Sequence, residues 1–486
     1  PFLFERRLRE QLLHSVGCGD SHAVMWLQGQ AVEARYGERL RTARERLARS
    51  GNYAEVLEIH ERAASDDAVF VGAGRSELAR FPSRERLFEL AERVVELTYA
   101  SPAMLEVVFD GETGFGDGVT QMFYTDVAAE WAAAGGPAAA LWVEHSPESY
   151  VERGGRRFMH SCRGLFPRPH RAGSAASQEA CRQFRFLGRL MAKALRDGFI
   201  VPCTLDVWFF EAVLGEELPL AALPRPGDGW AGEFVGAAAQ FALDLRKRCA
   251  DCASEDESRR ARAEEAASPG WAGRYLGRQG KAGEQAFAEY AELCAFQETG
   301  LSGPELGEGG AERQLTIDNL EEFVERAAHW WLKDGIAAQV EAFRHGVEDV
   351  CDSHRAVWAF EAEELRALFC GDACADWTEM ELSEALRPRG GYRTDSREIR
   401  MLIEELIKLT PARRGLFLEF VTAAPRLPPG GLRAAEIVVV PAQPQGSLPR
   451  AHTCTNELQL PSFASAEDLS RCLAEAMDCA QGMYER

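Results

Sequence analysis

The chain has no apolar run near the roughly 18 residues that a helix needs to cross a bilayer. Its longest candidates, such as the one ending in Ile437–Val440, are strand-sized. Positive charge is also scarce: Lys plus Arg number 55 against 76 Asp plus Glu, a net charge of −21. Such a field repels phosphate backbones and anionic lipid, so neither nucleic acid nor a membrane surface is an expected partner. A disulfide framework is missing too. The 13 cysteines are odd in number and scattered through 486 residues, which reads as a reduced, intracellular protein, cytoplasmic and/or nuclear. No initiator Met opens the chain at Pro1, and no signal-peptide succession of charged, apolar and small residues follows. We therefore expect the C-terminal part of something longer.

What is present is ordinary globular material. Hydrophobic residues make up 46% and charged residues 27%, enough for a sizeable core and incompatible with a wholly disordered chain. The length suggests two to four domains. Residues 1–79 read as a helical, charged extension with Arg35–Arg49 as a solvated face. Leu87, Leu90, Ala91, Val94, Val95 and Leu97 then form a helical stripe, and Met104–Phe109 reads as a strand. A glycine-rich turn, Gly111–Gly118, leads to a helix through Met122, Phe123, Val127 and Ala128. A further helix carries Phe184, Leu187, Leu190, Met191, Ala194 and Leu195. Residues 215–310 differ in character, with a flexible part: Pro, Gly, a charge-dense run from Ser254 to Glu265, and isolated aromatics including Trp230, Phe234, Phe241, Trp271, Tyr290 and Phe296. We read them as a semi-autonomous insertion. Helical patterning resumes at Leu320.

The run Arg387-Pro388-Arg389-Gly390-Gly391 ends a helix and reads as a pliable connection. Beyond it Ile399, Leu402, Ile403, Leu406 and Ile407 mark an amphipathic helix, Arg414–Val421 a second, Ile437–Val440 a strand, and Leu469–Ala480 a last helix with Ser465 and Asp468 as its capping box. Among motifs that could carry chemistry, the glycine cluster lacks the Gly-Lys-Ser/Thr ending of a phosphate loop and holds two acidic side chains, so it is read as a structural turn. Cys249 and Cys252 have zinc-like spacing but no second ligand pair, and no metal site is expected. Cys472 lies on an apolar stripe as a core residue. Cys454 stands apart, in a polar loop between strand and helix where a thiol is exposed and can ionise. His452, two residues away on an extended segment, could assist proton movement, and Asn456 could orient a carbonyl or thioester oxygen. On these residues alone the role of Cys454 stays open.

The segment Leu448-Pro449, His452-Thr453-Cys454, Asn456, Leu458 and Leu460-Pro461 resembles the active-site signature of HECT-type ubiquitin ligases. Further stretches match in order: Met104–Val107 with the glycine turn and Phe123-Tyr124; Gly164–Pro167; Phe184–Ala194; Leu315-Thr316 with Asn319 and Phe323; Phe360 with Glu363–Leu365 and Cys370-Gly371; and Phe420–Thr422 with Arg426–Gly431. The resemblance spans about residues 80–486, and Trp377–Ser396 is similar to the ubiquitin-fusion-degradation, thyroid-receptor-interacting branch. It implies an α+β, bilobed fold: a large, mainly helical N-lobe at 80–390, whose insertion at 215–310 binds a ubiquitin-conjugating enzyme, and a small α/β C-lobe at 391–486. It also implies that Cys454 accepts ubiquitin as a thioester and passes it to a substrate lysine without a cofactor, with His452, Thr453 and Asn456 in support. Phe234, Phe241, Phe296 and Leu301 would meet the conjugating enzyme, and Gly390 and Gly391 would be the hinge. Thr455 and Met483 depart from residues frequent in the family. Those departures suggest the alternative of a catalytically weak, ubiquitin-binding scaffold. A hydrolase would need an acid to orient His452, and none is identifiable.

Overall fold

We describe the chain from a computed structural model. The described residues are 77–482, without 83, 85, 102, 111, 113–115, 137, 145–149, 154, 160–162, 227–232, 251, 293, 297–304, 352–356, 373–375 and 443–447, together with residues 6, 9, 10, 13 and 42. The expectation for 1–79 thus falls almost wholly outside them. In chain order the elements are β1 (Glu77–Phe81), α1 (Leu87–Thr98), β2 (Leu105–Phe109), α2 (Asp117–Ala132), β3 (Tyr150–Arg153), β4 (Arg156–Met159) and α3 (Ala175–Asp197). There follow α4 (Val207–Leu214), α5 (Glu233–Cys249), α6 (Glu255–Ala267), α7 (Trp271–Leu276), α8 (Phe287–Ala291), α9 (Leu320–His329), α10 (Ala337–Val350) and α11 (Ala362–Cys370). The last are α12 (Glu379–Ala385), β5 (Leu386–Pro388), α13 (Arg397–Lys408), α14 (Pro411–Thr422), β6 (Ile437–Pro441), β7 (Arg450–His452), β8 (Glu457–Leu460) and α15 (Ala466–Gly482).

The chain divides into two compact units. One gathers Pro1–Trp131, Phe186–Cys203 and His345–Arg486; the other gathers Ala132–Arg185 and Thr204–Arg344. In the first, β1 pairs in parallel with β2, and α1 buries Leu87, Phe88, Ala91 and Val95, spaced as one helical face requires. The segment that matched around Phe184–Ala194 shows why its polar residues are there. Lys193 and Asp197 are buried and paired at 2.9 Å, and the same carboxylate accepts from the backbone N–H of Leu105 at 2.9 Å. Burial raises the Asp197 carboxyl pKa, and Lys193 and that N–H oppose the rise. An uncompensated charge there would cost several kcal/mol, so the pair clamps the start of β2 onto α3.

Within the same unit an apolar core runs from Trp377 to Met477. Its sheet has the order β5-β6-β8-β7, with β5, β6 and β8 parallel and β7 antiparallel to β8. Helix α13 turns Ile399, Leu402, Ile403 and Leu406 into this core. At the start of α15 the Asp468 N–H donates to Ser465 Oγ at 3.1 Å.

This core corrects the boundary and the hinge expected at Gly390 and Gly391. The α/β unit already holds Trp377, α12 and β5, all upstream of the glycines. Arg389 N–H donates to Val439 O at 2.8 Å, and the glycines adopt φ of 64° and 116°. They make a tight turn between β5 and α13, inside one packed sheet unit, rather than a joint between two bodies.

In the second unit, aromatic rings make the core of the 215–310 region. Phe241, Trp271 and Phe287 are fully buried and meet at centroid distances of 5.0–5.9 Å. The charge-dense run is helix α6. Ser254 caps it, accepting from the Glu257 N–H at 3.3 Å, and Glu255, Asp256 and Glu257 lie in its first turn, where negative charge suits the helix dipole.

Candidate active site

Cys454 is the middle residue of a single 3-10 turn, Thr453–Thr455, that joins β7 to β8. The two strands fix its ends, because His452 stands opposite Glu457 in their register. Asn456 completes the reversal at φ 48°, a left-handed conformation that asparagine tolerates better than most residues. Its side-chain amide donates to Ala435 O at 3.0 Å, and its carbonyl accepts from the Val438 N–H at 2.9 Å. The turn is thereby pinned to the start of β6. Asn456 holds the loop through one of the two N–H donors of its side-chain amide. Thr455 Oγ1 donates to His452 O at 3.4 Å, so a hydroxyl residue closes this turn from within.

His452 is exposed. Its Nε2 lies 3.0 Å from Gln459 Nε2; the amide donates, so the ring nitrogen accepts. Gln459 also donates to Glu457 Oε1 at 3.2 Å. Among the described residues no carboxylate is hydrogen-bonded to the His452 ring. The pre-paired Cys-His-acid triad of a hydrolase is not assembled here.

Thr453 is half-buried, and what covers it is a residue that sequence reading had placed in a structural turn. Gly118 lies buried in the first turn of α2. A Cβ at that position would fall 2.7 Å from the Cys454 backbone nitrogen and 2.9 Å from the Thr453 carbonyl carbon. Two helical turns further along α2, Thr125 Oγ1 donates to Ala423 O at 2.7 Å. Ala423 ends α14 at φ 62°, and α14 packs on the Cys454 turn and on β7. Beside Thr125, Asp126 is paired with Arg84. Its carboxyl pKa is pushed up to about 6, chiefly by burial against the opposing pull of Arg84, with Glu419 of α14 and Glu112 adding to the rise.

Among the described cysteines only Cys454 and Cys479 are exposed. Burial raises the pKa of Cys203 well above the usual thiol range, and raises those of Cys181 and Cys294, which keeps these thiols protonated and inert. Cys249 points its thiol at Ser258 O, 3.8 Å away. The residues expected to meet a partner separate into groups. Phe241 and Phe296 are fully buried core residues, a correction: Phe296 packs on Phe323 at 5.6 Å and beneath Arg313. Phe234 is only partly buried; its ring packs on Trp271 at 6.0 Å, Phe323 at 6.1 Å and Tyr290 at 6.4 Å. Leu301 and Met483 lie outside the described residues.

An exposed thiol on a pinned turn has the accessibility that nucleophilic chemistry at cysteine requires. Comparison with known families makes that chemistry particular. The profile of the HECT-domain (ubiquitin-transferase) family matches residues 155–485, and the chain belongs to that family. Relatives include the E3 ubiquitin-protein ligase TRIP12 of Danio rerio, 31% identical over 84% of this chain and 20% of the relative. The E3 ubiquitin-protein ligase hecd-1 of Caenorhabditis elegans is 28% identical over 98% and 18%, and the E3 ubiquitin-protein ligase UPL3 of Arabidopsis thaliana 27% over 100% and 25%. The chain thus spans a quarter or less of the length of these relatives.

Proposed function

We propose that this chain is a ubiquitin-protein transferase that carries ubiquitin on Cys454. The observation that carries the reading is the exposed Cys454 thiol, at the tip of a turn held by Asn456 and α14, in a member of the HECT-domain family. In the first step the Cys454 thiolate attacks the thioester carbonyl that joins ubiquitin to a conjugating enzyme. A new C–S bond forms and the donor cysteine leaves as thiolate. In the second step a substrate lysine amine attacks the Cys454 thioester, an amide C–N bond forms, the Cys454 sulfur leaves, and the amine proton passes to solvent. Exchange between two thioesters is nearly balanced, so the protein contributes chiefly proximity and a reactive thiolate.

The partners are then a conjugating enzyme, ubiquitin and protein substrates, in a reducing cytoplasmic or nuclear compartment. The partly exposed Phe234–Tyr290 pair is the part of the 215–310 region that supports contact with the conjugating enzyme, as aromatic anchors do in many interfaces. Incubation with activating enzyme, conjugating enzyme and labelled ubiquitin, resolved on a non-reducing gel, tests the reading. The chain should form a ubiquitin adduct that thiol reductant removes, and Cys454→Ala should abolish it. An undiminished reductant-sensitive adduct in Cys454→Ala would overturn the assignment and direct attention to Cys479.

A further inference from the structure

Gly118 is a glycine that its own backbone does not require. It is absent from the positive-φ glycines, unlike Gly116 at 89°, and in an ordinary helical conformation alanine is favoured by about 0.5–1 kcal/mol. Its surroundings supply the reason for glycine. The three atoms nearest to an added Cβ all belong to Thr453 and Cys454, and two of them are backbone atoms within 3.0 Å. No side chain larger than hydrogen fits while the cysteine turn occupies this place. Thr125, seven residues on and therefore on the same face of α2, holds the end of α14 through Ala423 O, and α14 itself packs against the turn. One helix face thus contacts the α/β unit twice, once by absence of bulk and once by a hydrogen bond.

We propose that Gly118 is a positioning residue for transfer out of Cys454: its missing side chain makes a seat on the first turn of α2, and the seated turn holds the loaded cysteine still for the acceptor amine. This rests on the ubiquitin-transfer reading above. The seat belongs to one compact unit, whereas the Phe234–Tyr290 surface assigned to the conjugating enzyme belongs to the other. In this proposal loading draws on the aromatic surface, and the seat serves the later step.

A pulse–chase with the full chain separates the two steps: loading from conjugating enzyme charged with labelled ubiquitin, then discharge to free lysine, with thermal unfolding of each variant alongside. Gly118→Val should load within about twofold of the parent yet discharge about tenfold more slowly or worse, as expected when a reacting group is displaced by about 1 Å. Gly118→Ala should fall between. Thr125→Val removes the second contact without adding bulk at the seat and should slow discharge about threefold; with Gly118→Ala it decides the matter if Gly118→Val does not fold. Discharge at the parental rate in Gly118→Ala and Thr125→Val overturns the proposal. So does an equal loss in both steps, which marks a merely structural glycine. A parent chain that forms no Cys454 adduct is a different result, and overturns the transferase reading instead.

Discussion

A thiol at the tip of a turn owes its position to neighbours that never touch the reaction. Asn456 spans 21 residues to reach Ala435 O, and a sequence window cannot display such a partner. The exposure of Cys454 was legible, because it falls in a polar stretch off any apolar stripe, whereas its role was read only through the family resemblance. The aromatic residues of the 215–310 region were only half legible: a phenylalanine flanked by polar residues can face a groove or a small core, and only packing decides. Phe241 and Phe234 now separate these roles. Phe241→Ala should lower stability by about 3–5 kcal/mol through lost burial and a residual cavity, measured by denaturant unfolding. Phe234→Ala, at a partly buried ring packed on Trp271 and Phe323, should cost less than Phe241→Ala, about 1–3 kcal/mol, while slowing loading from the conjugating enzyme.

At the scale of elements, α2 and α14 meet through a carboxylate that is ill at ease. Asp126 in the folded chain holds its proton up to about pH 6, because of burial and the nearby Glu419. Released by unfolding, it titrates in the usual range near 3.8. Between these values the folded state binds more protons, so stability from this group rises as pH falls through 6. The parent chain should therefore lose stability relative to Asp126→Asn as pH climbs from about 4 to about 6 and level off above that, read as the difference between their thermal midpoints across that window. Equal pH dependence in the two would show that Asp126 does not titrate there. Element-level legibility had a physical limit of its own. The stripes of α1 and α13 were visible because each buries an apolar face, although Leu97 and Ile407, read as part of those stripes, are exposed. Helix α6 was not, since it buries only Ala266 and is tied down by ion pairs such as Arg262–Glu321 at 2.8 Å and Arg274–Glu265 at 2.9 Å.

For the whole molecule, the glycine pair at 390 and 391 is the main place where the pattern of the chain misled. Proline followed by two glycines signals a change of direction equally well in a hinge and in a tight turn, and the sequence does not reveal that β5 upstream is a member of the sheet downstream. Gly391, at φ 116°, occupies backbone space that L-residues rarely enter, so Gly391→Ala should destabilise the α/β unit by about 1–3 kcal/mol. Thermal unfolding reads that loss, while transfer per folded molecule stays at the parental level. A stable variant with slowed transfer would restore the hinge. The fold class and the order of the matched motifs were legible from residue 80 onward, but the division into compact units was not, because it depends on segments far apart in the chain. That division bears on how the molecule is made. Neither unit is one continuous stretch, so no single cut of the chain releases either of them whole. During synthesis the α2 segment leaves the ribosome before Ala423 and Cys454, its eventual partners, exist. At about 5–20 residues per second, roughly 300 residues of delay expose that helix face for about 15–60 s, a window in which a chaperone, or a neighbouring nascent chain, can reach it first.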